Sequence, residues 1–182
     1  MTAVEVRTSA GRVRGRWEDG VAVFRGVPFA APPVGVHRFA APAPVAPWVG
    51  VRDALGFGAP PPQPGRPTGD DEWLNLTVWT PDPGRAAIPV VVWISGGGYL
   101  ACDSANPHLD GAAFAAAGAV VVSAHYRSGA EGFLRVAGAP DNRALLDQVA
   151  ALVWVQDNIA AFGGDPGNVT AFGQSAGAGS IA

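Results

Sequence analysis

The fold predicted for this chain depends most on one stretch, Val169-Thr170-Ala171-Phe172-Gly173-Gln174-Ser175-Ala176-Gly177. The run from Val169 to Phe172 predicts a buried strand, and the residues from Ala176 onward predict the start of a helix. The turn between them has the form G-x-S-x-G, which in this context holds a serine in a strained conformation with its hydroxyl exposed at the sheet edge. Gly173 and Gly177 are expected to prevent side-chain collisions where strand and helix converge. The pattern predicts Ser175 as a nucleophile; the alternative is a small-residue turn without chemistry.

A second glycine-rich turn, Ser95-Gly96-Gly97-Gly98-Tyr99, follows the continuous apolar run from Val90 to Ile94. Such a run is typical of a strand in a parallel sheet, covered on both faces. Three successive glycines allow backbone N–H groups to point at one spot without interference from side chains. An oxyanion hole requires this arrangement, and each donor stabilises the transition state by roughly 3–4 kcal/mol. The alternative is a tight turn with only a structural role.

These motifs and their flanking segments resemble the type-B carboxylesterase/lipase family of α/β-hydrolases nearly from end to end. The segment 24–35 is similar to the F-x-G-I-P-Y-A-x-P-P-x-G opening of that family, and 72–81 to its E-D-C-L-x-L-N-V-W-x-P motif. The glycine turn resembles H-G-G-G, with Ser95 in place of the histidine. The segment 145–159 closely resembles the family's helix before the nucleophile turn.

The resemblance implies a fold, an activity and a set of site residues. The fold is α/β: the N-terminal part of an α/β-hydrolase, with a mostly parallel central sheet, flanking helices, a small N-terminal antiparallel hairpin and later strands missing, in one domain over 1–182. The activity is acyl transfer from a small-molecule ester. The implied site consists of the nucleophile Ser175, the oxyanion-hole N–H groups of Gly97, Gly98 and Ala176, and the turn glycines Gly173 and Gly177.

Some positions depart from the family pattern. Trp73 stands where a cysteine usually lies, and Pro61 occupies the place of its usual partner. The resemblance therefore implies that the family's first disulfide is absent, and the single cysteine, Cys102, excludes any intrachain disulfide. The absence of disulfides is consistent with a reducing compartment.

Composition restricts the possible functions. The 182 residues are 48% hydrophobic and 15% charged with net charge −3, which argues against disorder and against a nucleic-acid partner. The longest apolar stretch, 112–122, is too short for a membrane span, and the N-terminus lacks a signal-peptide pattern. We expect a cytoplasmic protein without a membrane partner, a metal or an organic cofactor. Oligomeric state is not predicted.

The partners that a serine nucleophile needs are not found where the fold predicts them. A base must take the hydroxyl proton and a carboxylate must orient that base, and in this fold both follow the serine. Only seven residues follow Ser175, none of them acidic or histidine, whereas His37, His108 and His125 all precede it. We therefore expect the chain to be an esterase's N-terminal portion that is inactive alone. A replacement base from His108 or His125 is the alternative.

Two further functions compete with ester hydrolysis. Some relatives in the resembled family serve adhesion without catalysis, so the chain is alternatively a binding module or an inactive remnant. The segment Gly177-Ala178-Gly179-Ser180-Ile181-Ala182 also matches G-x-G-x-x-A, the dinucleotide-binding fingerprint. That fingerprint requires its first glycine directly after a strand and an acidic residue about 20 positions later. Neither condition is met.

The remaining elements follow from local patterns. Val4 to Arg7 and Arg12 to Arg16 predict a hairpin, and Leu109 to Ala117 a short helix. A long helix is expected to start at Asp141-Asn142 with a capping side chain and to stop at Phe162-Gly163-Gly164. Its buried stripe is predicted to contain Leu145, Val149, Leu152, Gln156 and Ile159, with Leu146 and Val153 widening it. Arg127 is expected to anchor an ion pair.

Overall fold

The protein is described here from a computed structural model covering residues 2–66, 68–103, 105 and 110–182. The strands in these residues are β1 (Ala3–Arg7), β2 (Arg12–Glu18), β3 (Val21–Pro28), β4 (Val51–Asp53), β5 (Asn75–Thr80), β6 (Ile88–Ile94), β7 (Val120–Ala124) and β8 (Gly164–Gly173). The α-helices are α1 (Ala112–Ala116), α2 (Gly129–Phe133), α3 (Arg143–Asn158) and α4 (Ala176–Ile181). Two 3-10 turns in the described residues occupy Gly35–His37 and Ile159–Phe162. The predicted start of the first helix, Leu109, lies outside the described residues.

The described strands form one sheet in the order β1-β2-β3-β5-β7-β6-β8, with β4 beside β2. The predicted N-terminal hairpin is confirmed, because Ala3 to Arg7 pair antiparallel with Arg16 to Arg12. A mostly parallel sheet was expected, whereas the described sheet is mixed. Parallel pairing is confined to β6–β7, β6–β8 and β2–β4. Short turns join β1, β2 and β3 and permit only antiparallel neighbours, while the crossovers that contain α1 and α3 allow the parallel pairs.

The two faces of the sheet are covered unequally. One face packs on α3 and forms the larger core, in which Phe24 and Phe162 meet edge to face with ring centroids 5.0 Å apart. The other face carries α1, where Ala115 packs over Trp79 and Val121. Val91 and Trp93 of β6 point to this second face and are only half-buried. The prediction that both faces of β6 are fully covered is therefore wrong in this structure.

Helix α3 buries a face that differs in part from the predicted one. Val149 is 56% exposed and Gln156 is exposed, so the predicted stripe is wrong at these two positions, whereas Ile159 is buried and Leu145 and Leu152 are half-buried. The buried positions are Arg143, Ala144, Asp147, Gln148, Ala151, Trp154, Val155 and Asn158. Small alanines allow the helix to approach the sheet, and the buried polar side chains have specific partners, which a count of apolar residues does not detect.

The two ends of the long helical segment differ in how well they were predicted. Asn142 is the residue before α3, but its side chain makes no capping hydrogen bond and its φ is +53°. The predicted cap is therefore wrong. The stop is confirmed, since Gly163 ends the 3-10 turn after α3 with φ +88°. Only a residue without a side chain adopts that conformation at no steric cost.

Helix α3 is tied to the end of β7 by a buried ion pair. Arg127 donates from its backbone N, Nε and Nη2 to the carboxylate of Asp147 at 3.0, 2.8 and 2.7 Å. Its Nη1 donates to Ala40 O at 2.8 Å. Neither side chain of the pair is exposed. Burial raises the pKa of Asp147, and the bonds from Arg127 oppose that rise. The predicted anchoring role of Arg127 is confirmed.

Strand β8 lies at one edge of the described sheet and pairs there only with β6. The prediction of a buried strand is wrong for Val169 to Phe172, because Thr170 is exposed and its neighbours are half-buried. Among the described residues no helix combines the length and the hydropathy that crossing a membrane requires.

Candidate active site

Ser175 lies between the last residue of β8 and the first residue of α4. Its backbone has φ 54° and ψ −122°, a conformation that costs a non-glycine residue of order 1–3 kcal/mol. The residue is exposed. The sharp, strained strand–helix turn predicted for Ser175 is therefore present.

The glycines on either side of this serine are required by the contact between the turn and β6. A Cβ on Gly173 would lie 2.6 Å from the carbonyl carbon of Gly177 and 2.8 Å from Ile94 O. A Cβ on Gly177 would overlap Ile94 O even more closely. Side chains at these positions would push α4 away from the sheet, as the sequence predicts.

The glycine loop lies beside the serine because β6 and β8 run parallel and in register. Ile94 pairs with Gly173, so the loop after β6 and the turn after β8 leave the same edge of the sheet. A Cβ on Gly96 would lie 3.2 Å from the Cβ of Ser175 and 2.5 Å from Gln174 O. The two glycine-rich motifs, far apart in the sequence, are therefore in contact.

The predicted oxyanion-hole residues have backbones suited to donation. Gly97 and Gly98 have φ values of +126° and +61°, and a Cβ on Gly97 would collide with Ala101 O. No backbone hydrogen bond between described residues uses the N–H of Gly97 or Gly98. Ala176 is the first residue of α4, where an N–H has no partner within the helix. The three N–H groups are thus available, and their catalytic role stays a prediction.

The glycine loop after β6 is supported by Ser95, which stands where the resembled family has a histidine. Its Oγ lies 3.2 Å from Cys102 Sγ, and its carbonyl oxygen accepts a 2.7 Å hydrogen bond from the Tyr126 hydroxyl. Burial raises the pKa of Cys102 to about 11 and also raises the pKa of Tyr126. Both groups are therefore neutral at pH 7, and the loop rests on uncharged hydrogen-bonding side chains.

A cleft of about 380 Å³ opens beside the loop. Trp93, Gly96, Gly97 and Gln174 line one part of it, and the ion pair between Arg66 and Asp103 lines another. The cleft therefore has both apolar and charged walls. This ion pair was not predicted from the sequence, because its two residues lie on separate loops and no local pattern connects them.

Among the described residues, no hydrogen bond involves Ser175 Oγ. His125 is fully buried, and burial lowers its pKa to about 4, against the effects of Asp103 and the backbone of Ala59 and Trp73. These contacts place its imidazole in the core beside the 59 and 73 segments. His37 lies in a 3-10 turn, and His108 lies outside the described residues.

The other sequence hypotheses for this region gain no support. Gly177 and Gly179 lie inside α4 rather than in a loop directly after a strand, so the dinucleotide fingerprint lacks its structural context.

Within the described ranges, no group of three or more His, Cys, Asp or Glu side chains could hold a metal ion.

Comparisons with known proteins agree with this geometry. The profile of a family described as "Carboxylesterase family" matches residues 2–182. The chain is 44% identical to a para-nitrobenzyl esterase of Bacillus subtilis, covering 100% of this chain and 40% of that protein. It is 47% identical to a phenmedipham hydrolase of Pseudarthrobacter oxydans, covering 96% and 38%.

Solved structures show the same relationship. A PNB esterase structure superposes with a TM-score of 0.94 at 44% identity, covering 99% of this chain and 40% of that one. The Geobacillus stearothermophilus carboxylesterase EST55 gives a TM-score of 0.92 at 44% identity, with 97% and 39% covered. The α/β-hydrolase fold class is thereby confirmed. The chain spans about 40% of the length of these relatives.

Proposed function

This chain belongs to the carboxylesterase family, and on that premise we propose that it carries the nucleophile and the oxyanion hole of a serine carboxylic-ester hydrolase. The substrate class is a small-molecule ester. One observation carries the proposal: the strained turn at Ser175 lies against the glycine loop that follows β6.

The proposed reaction uses these groups in two half-reactions. Ser175 Oγ attacks the ester carbonyl carbon, and the resulting oxyanion accepts hydrogen bonds from the N–H groups of Gly97, Gly98 and Ala176. Collapse of this intermediate expels the alcohol and leaves an acyl-enzyme, which water hydrolyses to the acid and free serine. The serine proton must pass to a base and then to the leaving alcohol.

We propose that the isolated chain has the site for acyl transfer but little turnover. A serine hydroxyl is a weak nucleophile until an imidazole removes its proton. The only described imidazole of the core, His125, lies against the 59 and 73 segments. Loss of a base from a serine triad leaves only the weak catalysis contributed by the oxyanion hole and binding.

The first test uses the purified chain, p-nitrophenyl acetate and a fluorophosphonate probe, with Ser175→Ala as the control. We expect hydrolysis and labelling no faster than in the control, from a chain that unfolds cooperatively. Turnover that depends on Ser175 would show that a base already serves this serine, and the low activity proposed for the isolated chain would be wrong.

A chimera tests whether the site itself is competent. Residues 1–182 replace the matching 40% of the Bacillus subtilis para-nitrobenzyl esterase, whose remaining length is kept. We expect hydrolysis of p-nitrophenyl acetate that Ser175→Ala abolishes. A folded chimera without activity would support the alternative, a non-catalytic binding module or inactive remnant.

A further inference from the structure

Tyr99, the residue after the three glycines, has an unusual backbone conformation. Its φ is +61°, in the left-handed region that is unfavourable for a residue with a side chain. A fourth glycine would avoid this cost. The side chain of Tyr99 is therefore expected to make contacts that offset it.

Two contacts fix this side chain and connect the loop to other elements. The ring packs edge to face on Phe133 of α2 with centroids 5.0 Å apart. The hydroxyl lies 3.4 Å from Ser180 Oγ on α4, five residues after the proposed nucleophile. The backbone carbonyl of Tyr99 also accepts a 2.7 Å hydrogen bond from the N–H of Gly129.

Ser180 joins this contact to the nucleophile turn and to α3. Its hydroxyl lies 3.1 Å from Ala176 O and accepts a hydrogen bond from Gln148 Nε2 at 3.3 Å. A serine hydroxyl has one proton and two acceptor sites. All three contacts are satisfied together when Ser180 donates to Ala176 O and Tyr99 donates to Ser180. Gln148 is buried, so α3 gives the network a fixed anchor.

Gly179 provides the space for the tyrosine hydroxyl. A Cβ at this position would lie 3.3 Å from Tyr99 Oη, closer than most such contacts in proteins. The second glycine of the G-x-G-x-x-A match therefore has a structural reason that is unrelated to nucleotides.

We propose that Tyr99 and Ser180 are positioning residues that hold the two halves of the oxyanion hole at a fixed separation. Gly97 and Gly98 form the loop half and are followed directly by Tyr99. Ala176 forms the helix half, and its carbonyl is bonded to Ser180. A change of about 1 Å in such a geometry is enough to slow an enzyme strongly. The catalytic consequence rests on the proposed function, whereas the mechanical coupling does not.

The mechanical coupling is tested by amide hydrogen exchange on the full chain. The reporter amides are those of Ala101 and Gly179, which donate to Gly97 O at 3.2 Å and to Ser175 O at 3.0 Å. We expect Tyr99→Phe and Ser180→Ala each to accelerate both amides about threefold to tenfold, because each removes one hydrogen bond of the network. The double variant is expected to be no faster than Ser180→Ala.

Two controls separate positioning from a general loss of stability. Ser180→Thr keeps the hydroxyl and is expected to restore wild-type exchange, and Ser9→Ala removes an exposed hydroxyl at the β1–β2 turn and is expected to change neither amide. The proposal is overturned if Tyr99→Phe leaves both reporter amides unchanged, or if it accelerates amides of β5 and β7 equally.

The catalytic consequence is tested by the fluorophosphonate reaction in the chimera with the Bacillus subtilis para-nitrobenzyl esterase. In that chimera, Tyr99→Phe is expected to lower the maximal labelling rate of Ser175 about tenfold with an unchanged half-saturating probe concentration. An unchanged maximal rate would overturn the positioning role. A folded chimera in which Ser175 is not labelled would overturn the proposed function and the catalytic consequence with it, whereas the mechanical coupling is decided by amide exchange on the chain.

Discussion

Two glycines of the candidate site are required for different physical reasons. Gly177 has no room for a Cβ because Ile94 O lies against it, whereas Gly98 has open space and only a positive φ. We expect Gly177→Ala to lower the free energy of unfolding by about 3 kcal/mol, as for overpacked cores. Gly98→Ala is expected to cost about 1 kcal/mol. Urea unfolding at pH 7 measures both, and equal losses would contradict the assignment.

The burial of His125 is expected to make the free energy of unfolding depend on pH. Its pKa is lowered to about 4 because burial disfavours the imidazolium, while the unfolded chain titrates near the ordinary value of about 6.5. Between these values the unfolded state binds more protons, so stability is complete above pH 6.5 and is lost as pH falls towards 4. A shift of this size corresponds to about 3 kcal/mol.

The measurement compares urea unfolding of the wild type and His125→Asn at several pH values from 7 to 4. The wild type is expected to lose about 3 kcal/mol more than the variant over this range. Parallel curves would show that His125 does not titrate differently on unfolding.

At the residue scale, sequence predicts the site well where the requirement is local. The serine within its glycine turn can be predicted, and so can the glycines where two backbone segments come close together, because neighbouring residues in the sequence impose the geometry. Tyr99 was missed, since its partner Ser180 lies 81 positions away and only the fold brings them together. The contacts of Ser95 with Cys102 and Tyr126 could not be predicted either, because they join residues from three separate segments.

At the scale of elements, α3 shows the limit of hydrophobic periodicity. Its position and its glycine stop were predicted, whereas its orientation was not. Asp147 and Gln148 are buried because Arg127 and Ser180 bind them, and Val149 is left exposed. The buried polar side chains and their partners therefore give the helix an orientation that differs from the one its apolar residues alone predict.

The ion pair of α3 gives a test at this scale. Asp147→Ala leaves Arg127 charged and buried, which is expected to destabilise the protein by about 3–5 kcal/mol. Replacing both partners, by Arg127→Met with Asp147→Leu, is expected to cost less, because no charge then stays buried. Urea unfolding measures each variant.

The exposed pair of Arg14 and Glu5 serves as the matched control. Their side chains are 39% and 38% exposed, so Glu5→Ala is expected to change stability by no more than about 1 kcal/mol. A loss as large as that of Asp147→Ala would contradict the role assigned to burial.

At the scale of the whole molecule, the fold class could be predicted from the sequence, but the proportion of parallel and antiparallel pairs in the sheet could not. The continuous apolar run from Val90 to Ile94 identified β6, which does pair in parallel with β7 and β8. The number of antiparallel strand pairs was underestimated, because β3 and β5 are joined by a long connection whose path no local pattern reveals. Their pairing, with Phe24 opposite Val78, is a property of the assembled sheet.

We expect the exposed edge of β8 to promote self-association of the isolated chain. Edge strands present unpaired N–H and C=O groups, and charged side chains on an edge oppose pairing. Thr170 is exposed on β8, so Thr170→Lys is expected to lower the apparent mass measured by light scattering at high protein concentration. Thr2→Lys adds the same charge at another exposed position, and an equal effect there would assign the change to net charge alone.

The parallel pairing of β6 with β8 also has a consequence for the order of events on the ribosome. Tyr99 and Ser180 are separated by 81 positions, so at about 5–20 residues per second the loop half emerges roughly 4–16 s before the helix half. During that interval Ser95, Cys102 and Tyr126 can already hold the glycine loop in place. The nascent chain can thus complete a support for the loop before the nucleophile turn docks onto it.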